Sequence, residues 1–105
     1  MNSNGYHVVS YRNGRLYTES PEEQGRAEGP RLLRLFTEAA EANRYREAIE
    51  AYLGENLRVD SLGLQQVKRA VRQVKQGVKI AICQMGEGEW PTTVQVVTTG
   101  SFALN

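Results

Sequence analysis

Between Leu64 and Val78 the apolar residues recur at Leu64, Val67, Val71, Val74 and Val78, in alternating steps of three and four. That rhythm predicts a helix with a narrow apolar stripe, opened by Asp60 or Ser61 as N-cap and ending near Gly77. Upstream, Leu32, Leu35, Phe36, Ala39, Tyr45, Ile49, Tyr52 and Leu53 also stand at helical spacing. Pro30 in the first turn and Gly54 as a stop predict one long helix over 30–53, or two shorter ones divided near Asn43. Val78, Ile80 and Ile82 alternate with Lys79, Ala81 and Cys83, which predicts a strand. Val94, Val96 and Val97 among threonines predict a second, continuing through Phe102 to Leu104 after a break at Gly100.

Near the start, Asn13-Gly14 separates two short alternating runs, Tyr6 to Arg12 and Arg15 to Thr18. A two-residue primed turn there pairs Tyr11 with Leu16 and Val9 with Thr18 on the core face. Glu19 to Gly29 lacks a sustained apolar period and reads as a connecting loop, with at most one helical turn from Ser20-Pro21. Glu55 to Val59 reads as an extended linker. The expected architecture is a single α+β domain over 1–105 in the order ββααββ, with two antiparallel hairpins packed against two helices. A winged helix-turn-helix is the alternative. It would take Arg44 to Leu53 and Leu62 to Gln76 as its helices and Val78 to Thr99 as the wing.

Charge sharpens this picture. The formal net charge is only +1, yet Leu62 to Lys79 holds five basic residues and no acid, while Thr37 to Glu55 holds five acids against two arginines. Lys68, Arg72, Lys75 and Lys79 follow the apolar stripe one position later, flanked by Arg69, Gln73 and Gln76. This builds a basic, glutamine-rich helix face, to which Arg12 and Arg15 at the hairpin tip could add. Such a face suits an acidic protein surface or, through Arg and Gln, nucleic acid. Lysine-rich faces are also common on solvated helices.

Catalytic chemistry finds little support. The single Cys83 excludes an intramolecular disulfide, and the single His7 leaves no cluster with zinc-ligand spacing. Cys83 sits mid-strand, where packing rather than reactivity is expected. Gly86-Glu87-Gly88-Glu89 carries carboxylates that would repel phosphate, and no phosphate-loop lysine follows. Asp60-Ser61-Leu62 resembles the phosphopantetheine-attachment motif of acyl carrier proteins over three residues. Those proteins are all-helical, whereas strands follow here, and a helix N-cap accounts for both polar residues. Trp90, beside Pro91, is either a presented binding residue or a cover for the sheet edge.

The reading is of a non-enzymatic interaction protein, an inhibitor or adaptor, that docks a protein partner through charged helix faces. Its candidate binding residues are Lys68, Arg69, Arg72, Lys75, Lys79, Arg12, Arg15 and Trp90. Nucleic-acid binding through the basic helix over 62–79 is the alternative. No cofactor or metal is called for. No apolar run is long enough to span a bilayer and the start lacks a signal-peptide pattern, so a cytoplasmic protein without membrane contact is expected. A chain of 11.8 kDa has a high surface-to-volume ratio, compatible with a homo-oligomer.

Overall fold

The computed structural model describes residues 5–72, 77–88 and 90–97. It is an α+β fold with strands β1 (Gly5–Tyr11), β2 (Arg31–Phe36), β3 (Leu57–Gly63), β4 (Val78–Met85) and β5 (Pro91–Val97), and helices α1 (Ala39–Leu53) and α2 (Leu64–Val71). The strands form one mixed sheet in the order β3-β1-β2-β4-β5, with β2 and β4 parallel and the other neighbours antiparallel.

The chain order is therefore ββαβαββ. Arg15 to Thr18, expected as the second strand of the N-terminal hairpin, is not a strand and meets β1 only at the isolated bridge Ser10↔Leu16, and two further segments depart from the sequence reading. Arg31–Phe36 is a strand, not the start of the long helix. It is a central strand covered on both faces: Leu32 and Phe36 pack toward α1, Leu33 and Leu35 toward α2. A strand buried on both faces has contiguous apolar residues, which helical and extended templates fit equally well. The helix begins only at Ala39, runs unbroken past Asn43 and buries Ala42, Tyr45 and Ile49. It ends, as expected, where Gly54 adopts the left-handed conformation at φ 74° and its N–H caps the Glu50 carbonyl.

The second departure is Leu57–Gly63, read as a linker and cap but folded as β3, paired with β1 from Tyr11↔Leu57 to Gly5↔Gly63. Asp60 and Ser61 thus lie within a strand. The N-cap of α2 is Gly63, whose N–H donates to Gln66 Oε1 at 2.7 Å. The carrier-protein resemblance loses its helix-opening serine for the same reason.

The crossover from β2 through α1 to β3 runs one way along the sheet, and that from β3 through α2 to β4 runs the other. Crossovers of one hand that run in opposite directions must place their helices on opposite faces. Accordingly one cluster gathers Val9, Tyr17, Phe36, Tyr45 and Ile49 on the α1 side, and another gathers Val8, Leu33, Leu35, Val67, Val71 and Ile80 on the α2 side. The expectation of two hairpins with both helices on one face is corrected by this double cover. The winged helix-turn-helix fails too, because a strand separates the helices and the sheet lies between them.

The N-terminal turn is also revised. Tyr11 N–H donates to Arg15 O at 2.8 Å and Gly14 N–H to Tyr11 O at 2.9 Å, and only Gly14, at φ 94°, is left-handed. This is a three-residue loop with the glycine in the bulge position rather than a two-residue primed turn. The register slips by one: Ser10 faces Leu16, and Tyr17 N–H bonds Val9 O. Tyr17, not Leu16 or Thr18, therefore joins Val9 and Tyr11 on the α1 side. Gly14→Val forces a β-branched residue to positive φ and is expected to cost about 1–3 kcal/mol in urea unfolding. An unchanged midpoint would show that the turn does not depend on that conformation.

The β4–β5 hairpin forms as expected across the Gly86–Trp90 connection, from Ile80↔Val97 to Met85↔Pro91. The proposed continuation through Phe102 to Leu104 lies outside the described residues.

Candidate interaction surfaces

The basic residues divide between the two sides of the sheet. Arg69 and Arg72 are exposed at the C-terminal end of α2, and Lys68 is half-buried beside them. Lys75, with Gln73, Val74 and Gln76, lies outside the described residues. Lys79 does not continue this face: it sits in β4 opposite Leu32, whose side chain belongs to the α1-side core, so it is exposed on the other side of the sheet. Helical rhythm carried it into the basic stripe only because the helix was extended into the strand.

Arg12 and Arg15 are both exposed at the hairpin tip but do not share a side: Arg15, next to Leu16 in the chain, lies over the Tyr11 ring on the α1 side, whereas the Arg12 carbonyl is bonded to Arg58 on the α2 side. Leu16 packs against the cluster that contains Val67 and Val71. Arg58, on the face of β3 shared with Leu62, ties the tip down by donating from Nη1 to Arg12 O at 3.4 Å and from Nε to Asp60 Oδ2 at 3.1 Å. The Arg15 guanidinium lies 5.9 Å from the centroid of the Tyr11 ring. From Leu57 to Arg72, Asp60 is the only acid.

The α1 side carries a polar network that the sequence reading missed. Glu19, placed in a connecting loop there, is instead buried at 1% exposure and held by two backbone hydrogen bonds to Leu32. Its carboxylate accepts from Arg34 Nε at 2.7 Å, Arg34 Nη2 at 3.3 Å and Tyr45 Oη at 2.5 Å. Arg34 Nη1 reaches Cys83 Sγ at 3.5 Å, and its guanidinium lies 5.9 Å from the Tyr45 ring centroid. Beside them Tyr17 Oη donates to Glu23 Oε2 at 2.9 Å.

Burial pushes the Tyr45 phenol well above its usual range, and the neighbouring Glu19 charge adds to the effect. Tyr17 is raised for the same first reason, with its hydrogen bond to Glu23 next. Burial also raises the Cys83 thiol, against the opposing pull of Arg34. Burial works against the charge of Arg34, but hydrogen bonds to Glu19 and Cys83 outweigh it and hold the guanidinium above its usual value. Cys83 is thus a protonated core residue, and His7 is away from it, hydrogen-bonded through Nδ1 to Ser61 Oγ at 3.0 Å. A signal for this network did exist: Arg34 is the only charge inside Leu32–Phe36, and a charge in a doubly covered strand demands a partner.

Trp90 is packed on one side and exposed on the other. Its indole meets the buried Tyr45 edge-on, with centroids 5.8 Å apart at 72°, while 47% of the residue stays exposed. Among the described residues no group of acidic, histidine or cysteine side chains is arranged to hold a metal ion, and no helix is long and apolar enough to cross a membrane. No protein-family model, curated protein or solved structure matches the chain.

Proposed function

We propose that this is a small non-enzymatic interaction protein, an inhibitor or adaptor, that docks an acidic protein partner on the α2 side of its sheet. The observation that carries the reading is that Arg58, bonded to the Arg12 carbonyl at the hairpin tip, lies on the same side of the sheet as α2, at whose C-terminal end Arg69 and Arg72 are exposed. A hairpin turn, a strand and a helix end present these charges, and their pattern governs encounter and register with a partner.

The same gathering supports nucleic acid as a second reading. The acids of α1 lie on the opposite face of the sheet and do not confront a duplex held against α2. A protein partner remains the better fit because part of the positive charge is already engaged: Arg58 is ion-paired with Asp60.

Changing Arg12, Arg69 and Arg72 together to Gln is expected to abolish capture of the partner from native cell extract. Each surface change should alter stability by no more than about 0.5 kcal/mol. Capture that survives the triple change would refute the assignment of this side. Salt and nuclease divide the two readings. Duplex DNA bound through about four phosphates should lose log affinity against log salt with a slope near −3.6 and release its catch on nuclease treatment. A protein partner should survive nuclease and respond to salt mainly in association rate.

A further inference from the structure

On the α1 side, a cleft of about 220 Å³ is lined by Tyr17, Tyr52 and Trp90 together with Glu19, Glu22 and Glu23. Its charges are not equivalent. Glu19 is neutralised by Arg34. Glu23 accepts hydrogen bonds from Ser20 N–H and Tyr17 Oη, but no cation pairs with it among the described residues. The carboxylate of Glu22 has no partner among the described residues. Arg31, in the adjoining depression, is directed elsewhere, donating to Thr18 Oγ1 at 2.6 Å and Thr18 O at 2.7 Å.

Two aromatic side chains in this cleft are left in water, Tyr52 at 65% exposure and Trp90 at 47%. Aromatic faces attract cations through their quadrupoles, and the adjacent net negative charge adds to that attraction. A metal ion is a poor fit, since hard cations need several converging oxygen ligands and phenol and indole rings supply none. A guanidinium fits better than an ammonium: it stacks flat on an aromatic ring, is weakly hydrated and forks onto a carboxylate.

We infer that this cleft binds a guanidinium group, presented by an arginine side chain of a peptide and held between Tyr52 and Trp90 with Glu22 as its carboxylate partner. The site is on the face away from the basic α2 side and stands independently of the function proposed for that side. A peptide is the source because free arginine brings its own carboxylate toward Glu22 and Glu23.

Trp90 is the only tryptophan in the chain, so its fluorescence reports this cleft directly. Titration of the full chain with N-acetyl-arginine amide should give a saturable change in emission. Free arginine, N-acetyl-lysine amide and tetramethylammonium should each bind weaker, by on the order of five-fold or more. Glu22→Gln and Tyr52→Ala alter exposed side chains and should weaken the arginine amide to a similar degree, with far-UV circular dichroism unchanged. Absence of a saturable change, or an equal response in both variants, would overturn the site. Equal binding of tetramethylammonium or the lysine amide would overturn the choice of guanidinium, and equal binding of free arginine would overturn the peptide source.

Discussion

Glu19→Ala is expected to destabilise the fold by about 3–5 kcal/mol, the range for breaking a buried ion pair from one side. The loss leaves Arg34, with only 10% of its side chain exposed, without the carboxylate that balances its charge. It also removes the acceptor of the Tyr45 hydroxyl from a core where that ring is 2% exposed. In thermal unfolding this corresponds to roughly 12 °C or more, at about 4 °C per kcal/mol for a domain of this size. Removing the charge from both partners, as in Glu19→Leu with Arg34→Met, should recover most of the loss because no ion is left unpaired. If the single change costs less than about 1 kcal/mol, water reaches the pair and the network is not a sealed core element.

Alkaline pH is expected to be the second large destabiliser. Tyr17 and Tyr45, 4% and 2% exposed, both hold their protons in the folded state above the ordinary phenol value of 10.0. The unfolded chain releases those protons first. The stabilisation is thus fully present below the unfolded value and falls as pH rises toward the folded values. Stability is expected to fall as pH rises above roughly 10, where the unfolded phenols ionise and the folded ones do not, with a slope of at most about 1.4 kcal/mol per pH unit for each tyrosine. The raised Cys83 thiol acts in the same direction, starting from its ordinary value of 9.0. Urea midpoints at about pH 8, 10 and 11 test the slope, and Tyr17→Phe should take one proton out of it. Stability that stays level across this window would mean that the phenols ionise freely in the folded protein.

How these residues reached the core explains how much could be read beforehand. The β4–β5 hairpin was legible because alternation in Val78–Ile82 is a local signal, and the end of α1 was legible because Gly54 is a local stop. Trp90 packs on Tyr45, 45 positions away in sequence, and stays half exposed, a contact no local pattern announces. Lys79 was misassigned because steps of three and four run without interruption from the helix into the strand. Glu19 was invisible as a core residue because nothing beside it in sequence is apolar enough to announce burial. Its partners Arg34 and Tyr45 stand 15 and 26 positions away, and Cys83, which Arg34 also reaches, 64.

The amino-acid sequence by itself determined the mixed α+β class, the turn glycines, the helix end at Gly54 and the segregation of charge between the two helices. These depend on interactions within a few residues, where the chain has few alternatives. Tertiary structure decided that Arg31–Phe36 and Leu57–Gly63 become strands, since a segment covered on both faces, or pairing at an edge, takes its conformation from distant neighbours. It also decided that the helices cover opposite faces and that Arg58 of β3 holds the hairpin tip. The closure of a carboxylate, a guanidinium and two phenols beneath an aromatic cleft is likewise tertiary, because packing alone brings together charges that the chain keeps apart.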